Sequence, residues 1–191
     1  MEELSLLASG RLPPPLDLLR EGDLFDCNHL PVPLSELATK KVVLLYFGAA
    51  WCPPCRSFSP LLSEFAAKHP RNSEFTVLFV SADHSEQDMA AFSKGKFFTS
   101  IRYDAPSRRS ISSVMRVSMY PSLYVINGQT GETLTTWGRS LLQTNGVMES
   151  WLEGKSGMDS IESMVKKAIS GALFFVLLLL LLIGAVPWGG G

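Results

Sequence analysis

Cysteine is scarce in this chain, with three residues in 191. Three cysteines and no secretory leader argue against a purely structural disulfide and place the expected compartment among the reducing ones. The N-terminus, Met1-Glu2-Glu3-Leu4-Ser5-Leu6-Leu7, is acidic and soon meets Pro13-Pro14-Pro15. It lacks both the basic start and long apolar stretch of a signal peptide and the arginine-rich, acid-poor character of a transit peptide. The net charge is −1, so there is no excess of one sign to favour nucleic acid as a partner. The length allows one ordinary domain with a real core, plus a tail.

Against that scarcity, two of the cysteines stand together in Trp51-Cys52-Pro53-Pro54-Cys55-Arg56, directly after the apolar run Val42-Val43-Leu44-Leu45-Tyr46-Phe47. A CxxC pair placed where a buried strand turns into a helix is the working end of a dithiol–disulfide redox protein. The first thiol sits where helix-terminal N–H groups stabilise a thiolate, the nucleophile of disulfide exchange. The second lies almost one helical turn on, placed to attack the mixed disulfide. Pro53 and Pro54 fit the first helical turn, where a missing N–H costs nothing. The competing readings are a zinc site completed by Cys27 and His29 and an inert buried pair. Pro-Pro followed by a helix is poor geometry for a zinc knuckle, and Trp51 argues for a surface-exposed turn.

The remaining pattern alternates strands and helices. Leu24–Cys27 reads as a short edge strand, 33–37 as a short helix and 42–47 as a buried strand. Residues 54–69 read as a helix, with Phe58, Leu61, Leu62, Phe65 and Ala66 at spacings of three and four. Residues 75–80 form a second buried strand, and helices follow over 86–94 and 110–116. Strands 123–126 and 132–136 flank the hairpin signal Asn127-Gly128-Gln129-Thr130-Gly131, and 141–152 reads as the last helix. This order predicts an α/β fold: a central mixed sheet flanked by helices, with the dithiol at the carboxyl end of the first central strand. Tyr120-Pro121 precedes a strand, as either a cis-proline facing the dithiol or an ordinary trans turn proline. Arg56 either steers an acidic or thiol substrate or is a solvated helix charge. Asp83, His84, Glu86 and Asp88 read as a polar loop, with a metal site as the alternative. Arg108-Arg109 reads as a solvated turn, and Cys27 as a buried small apolar residue.

Tyr46-Phe47, the WCPPCR run, Phe58, Pro60, Leu61 and Pro121 resemble the thioredoxin superfamily over roughly residues 20–152. The Pro-Pro pair, Arg56 and the Tyr-Phe strand end resemble its tryparedoxin and nucleoredoxin branch. The resemblance implies a thioredoxin-like fold, with Cys52 attacking, Cys55 resolving and Pro121 as the cis-proline. Trp51, Pro53, Arg56 and Pro121 are then the candidate substrate contacts. It also implies no cofactor beyond the Cys52–Cys55 pair. Electrons would come from trypanothione or a similar low-molecular-weight dithiol and pass to peroxiredoxin-type or other disulfide proteins. Two departures stand out. Tyr46 occupies the place of thioredoxin's buried aspartate, the usual proton acceptor for the second cysteine. Lys96–Ile101 lacks the tryptophan common in tryparedoxins.

No charged residue occurs from Ala168 to Val186, and Leu177–Leu182 is an unbroken leucine run. About 19 residues at ~1.5 Å each give roughly 28 Å, near the ~30 Å of a bilayer core. Lys166 and Lys167 precede the span and favour the cytosolic side. The expected organisation is an N-terminal extension (1–19), a redox domain (20–153), a linker (154–167), a transmembrane tail anchor (168–186) and a short tail (187–191). The membrane would be the endoplasmic reticulum or the outer mitochondrial membrane, with the domain facing the cytosol. The expected activity is that of a membrane-anchored thiol–disulfide oxidoreductase. The alternative is a non-catalytic, redox-sensing or recruiting module tethered to a membrane.

Overall fold

The computed structural model describes residues 12–68, 74–163 and 165–170. Its strands are β1 (Leu24–Phe25), β2 (Val42–Gly48), β3 (Phe75–Ser81), β4 (Thr99–Ile101), β5 (Ser122–Asn127) and β6 (Thr133–Thr135). Its helices are α1 (Leu34–Ala38), α2 (Pro53–Lys68), α3 (Glu86–Ser93), α4 (Pro106–Val114), α5 (Gly138–Leu141) and α6 (Val147–Leu152). Residues 158–163 and 165–170 are also helical.

The strands form one mixed sheet in the order β1-β4-β3-β2-β5-β6. β2 lies parallel to β3, with Val42 opposite Phe75 and Gly48 opposite Ser81, and antiparallel to β5, with Phe47 opposite Ser122. Both faces of β2 are covered. Val42, Leu44 and Tyr46 pack with Phe58, Leu62, Met89 and Trp151, whereas Val43, Leu45 and Phe47 pack with Leu16, Leu37 and Ile111. Side chains alternate across a strand, so a strand buried on both faces must be apolar at every position. That requirement accounts for the unbroken run 42–47 and brings β2 to its carboxyl end at the centre of the molecule.

Several features depart from the sequence reading, among them the helix expected over 110–116, which is α4 (Pro106–Val114). β4 was hidden in 96–101. Its three residues carry no period of their own and are strand because Thr99 and Ser100 pair with Leu78 and Phe79 on one side and Ser100 and Ile101 with Phe25 and Leu24 on the other. The helix expected over 141–152 is two helices, α5 and α6, interrupted before Gly146, whose φ of 76° is left-handed. Arg108, read as solvated, is buried within α4. Cys27 is half-buried rather than buried.

The stretch from 154, expected to begin a linker, packs on the domain. The Trp151 indole N–H donates to the Ser156 carbonyl at 3.2 Å. Ser150 Oγ donates to the Asp159 carboxylate at 2.8 Å, and Ser160 Oγ to the Gly146 carbonyl at 3.2 Å. Ile161 lies against the α2-side core. Among the described residues no helix is long and apolar enough to cross a membrane. The expected anchor, 168–186, lies outside the described residues from 171 onward, as does the tail 187–191.

Gly157 fixes this docked turn. Its φ is 85°, and a Cβ there would stand 2.8 Å from Trp151 Nε1. Gly157→Ala is expected to destabilise the domain by about 1–3 kcal/mol, the usual cost of forcing a non-glycine residue into such a conformation. Urea unfolding with hydrogen exchange over 158–163 measures it. An unchanged midpoint and unchanged protection would show that the turn contributes nothing.

Candidate active site

The sheet delivers the chain to the dithiol through the turn 49–52, and α2 starts at once. Cys52 occupies the position before the first helical residue, and its carbonyl accepts from Cys55 N at 3.0 Å and Arg56 N at 3.2 Å. Pro53 and Pro54 have no N–H. The Cys55 amide is therefore the first helical donor, and it points at Cys52 Sγ at 3.3 Å. This is the N-cap arrangement with sulfur as acceptor. The two cysteines form a disulfide with their Cα atoms 5.2 Å apart, within the range such a bond needs. Cys55 is wholly buried, while Cys52 keeps 5% of its surface.

Beneath them lies Tyr46, fully buried, its hydroxyl 3.5 Å from the Cys55 carbonyl oxygen. The rings of Phe58, Phe79 and Phe98 surround it at 5.4–5.7 Å. Burial pushes its pKa far above that of a free phenol. Burial thus favours the neutral phenol beneath the pair. The bulky ring fits because residue 48 is glycine: a Cβ there would come within 2.6 Å of the Tyr46 oxygen.

Residues 81–84, from the last residue of β3 onward, form a second wall. Asp83 is 4% exposed. Its Oδ1 accepts from Ala50 N at 2.7 Å and its Oδ2 from Ser81 Oγ at 2.8 Å. The Trp51 indole donates to the Ala82 carbonyl at 3.0 Å, stacks on the His84 ring at 5.5 Å and meets Tyr120 edge-on at 5.9 Å. The Tyr120–Pro121 bond is cis. The edge contact with Tyr120 brings the Pro121 segment to the dithiol turn. Arg56 is committed to that turn as well, donating from Nη1 to the Ala50 carbonyl at 2.9 Å. A groove of about 350 Å³ opens beside α2, lined by Pro54, Ser57, Phe58, Leu61, Arg139 and Leu142.

The structure thus brings Trp51, Cys52, Pro53, Cys55, Arg56 and Pro121 together. Cys27 and His29 do not join them, and among the described residues no three His, Cys, Asp or Glu gather as a metal site. Cys27 lines a separate groove with Ala66, Phe97 and Thr99, and His29 stacks on Phe25 at 5.2 Å. The Asp83 carboxylate is spent on Ala50 and Ser81. The sequence reading missed Asp83 as a brace of the turn, Arg139 in the groove and Gly48 under Tyr46. Only Gly48 had a local signal, a glycine closing an otherwise bulky strand.

Gly48→Ala is expected to displace the Tyr46 ring, destabilise the domain by about 1–3 kcal/mol as overpacking does, and slow disulfide reduction. Denaturant unfolding and turnover check this. A variant as stable as the parent would refute the tight fit.

The sequence pattern of the Thioredoxin-like family matches residues 40–133. The tryparedoxin of Trypanosoma brucei brucei is 37% identical over 101 residues, covering 52% of this chain and 70% of that protein. Mouse nucleoredoxin is 33% identical over 129 residues, which cover 66% of this chain but only 29% of the relative. Among solved structures, tryparedoxin I from Crithidia fasciculata is 29% identical with a TM-score of 0.61, covering 68% of this chain and 91% of that one. A tryparedoxin II complexed with glutathionylspermidine is 25% identical, again with a TM-score of 0.61, covering 69% and 90%.

Proposed function

The chain belongs to the thioredoxin-like family, and from that premise we propose that it is a tryparedoxin-like thiol–disulfide oxidoreductase. It passes electrons from a low-molecular-weight dithiol, trypanothione or a similar molecule, to peroxiredoxin-type or other disulfide proteins. One observation carries the reading: the Cys52 sulfur caps α2, bonded to a wholly buried Cys55, with Cys52 the only one of the pair that keeps any surface. The groove beside Pro54 and Arg139 offers room for a small dithiol. The glutathionylspermidine complex of a related tryparedoxin supports that choice of ligand.

In the reduced protein the Cys55 amide and the end of α2 favour the Cys52 thiolate. It attacks one sulfur of the acceptor disulfide. A Cys52–acceptor bond forms, the acceptor's own S–S bond breaks, and its other sulfur leaves as thiolate. Cys55 loses its proton and attacks Cys52 Sγ. The mixed disulfide breaks, Cys52–Cys55 forms, and the second acceptor sulfur departs. The acceptor has gained two electrons and two protons, and the dithiol has lost them. The small dithiol restores Cys52 and Cys55 by the same exchanges in reverse. Trp51, Pro53, Arg56 and the Pro121 edge are the proposed contacts of the acceptor.

We also propose that residues 168–186 anchor the protein in the endoplasmic reticulum or outer mitochondrial membrane, with the domain on the cytosolic side. The uncharged span and the exposed Lys166 and Lys167 before it support this. Carbonate extraction is expected to leave the full chain in the membrane pellet and to release a chain cut after Ser170. Release of the full chain would overturn the anchor.

The chemistry has a direct measurement. Cys52 is expected to be alkylated with a midpoint clearly below the ~8.5 of a free thiol. Cys52→Ser is expected to abolish disulfide reduction, and Cys55→Ser to leave an acceptor bonded to Cys52. Turnover that survives Cys52→Ser would favour a recruiting module instead.

A further inference from the structure

Arg108 is 6% exposed, and among the described residues no carboxylate forms an ion pair with it. A buried guanidinium needs compensation. Here it comes from two carbonyls and a ring. Nε donates to the Tyr103 carbonyl at 2.8 Å, Nη1 donates to the Ser81 carbonyl at 2.7 Å, and the guanidinium lies 4.5 Å over the Tyr103 ring. An apolar side chain would fill the same space without that requirement, so the arginine invites a reason other than packing.

Both of its partners lead to the dithiol. Ser81 Oγ donates to Asp83 Oδ2 and accepts from Asp83 N at 2.9 Å, and Asp83 Oδ1 accepts from Ala50 N. Tyr103 Oη donates to the His84 carbonyl at 2.6 Å, and the His84 ring carries the Trp51 indole. The 81–84 loop itself grips the turn: Ala82 N donates to the Gly48 carbonyl at 2.9 Å, and the Ala82 carbonyl accepts from the Trp51 indole. Arg108 thus holds the start of this loop and, through Tyr103, its end.

We infer that Arg108 is a positioning residue for Cys52: it clamps the 81–84 loop from behind, and the loop holds the Ala50–Cys52 turn in place over the N-terminus of α2. The inference rests on the dithiol reading of the site, and it concerns how well the sulfur is aimed rather than which residue reacts. Loss of the clamp lets the Cys52 sulfur drift from the Cys55 amide and removes a cation from behind the turn. Both changes raise the pKa of the thiol. Misplacement of a reacting atom also slows the reaction steeply.

The test uses the full chain in detergent, with dithiothreitol as electron donor and insulin disulfides as acceptor. Arg108→Met is expected to raise the Cys52 alkylation midpoint by about half a pH unit and to slow insulin reduction about tenfold. Arg108→Lys keeps the charge but not the planar fork, and is expected to fall between Met and the parent. Tyr103→Phe removes one hydroxyl from a part-exposed side chain. It is expected to shift the midpoint in the same direction by less, and it serves as the test if Arg108→Met does not fold. Ile111→Val, a fully buried change on the same helix, is expected to lower the melting temperature and leave the midpoint alone. The inference falls if Arg108→Met and Tyr103→Phe keep the parent's midpoint, or if Ile111→Val shifts it as much. Failure of the dithiol reading looks different: the parent itself would reduce no insulin and alkylate like a free thiol.

Discussion

Two prolines in the first turn of α2 leave the Cys55 N–H as the first amide able to face the Cys52 sulfur. Much of the site serves that contact. β2 must be buried on both faces to end at the middle of the sheet. The turn must be short enough for Cys52 to cap the helix. Cys55 is sealed in the core, and Cys52 keeps what little surface the pair has. The Cys55 amide stands 3.3 Å from the Cys52 sulfur in the disulfide form.

The ground beneath the dithiol is neutral and aromatic. Tyr46 and its three phenylalanine neighbours fill the space, and burial keeps the phenol protonated. The nearby carboxylate, Asp83, belongs instead to the loop beside the turn, with each oxygen bonded to a neighbour. Its part is structural support of the backbone that carries Trp51 and Cys52. The polar apparatus of the site therefore lies to one side of the sulfurs, and the apolar apparatus below them.

At the other end of the domain, the chain does not leave as a loose tether. Three hydrogen bonds from α6 and its flank hold residues 156–160, and Ile161 adds apolar contact. The helix that follows carries the two lysines toward the uncharged span.

Local pattern made much of this legible. The unbroken apolar run marks β2, because only a strand covered on both faces is apolar at every position. The CxxC with its prolines marks a helix start, since proline suits the first turn and little else in a helix. The hairpin at 127–131 follows from its Asn-Gly and Thr-Gly pairs. Each of these is decided by residues within a turn or two of one another. The tertiary structure alone decided the rest. Three residues at 99–101 became a strand by pairing with β3 and β1. Arg108, in a doublet that reads as solvated, was buried by bonding a carbonyl 27 positions away, and Asp83 was enlisted by an amide 33 positions away. A polar side chain carries no local mark of whether water or a distant carbonyl will satisfy it, and only the packing of β3, α4 and the dithiol turn against one another settles that choice.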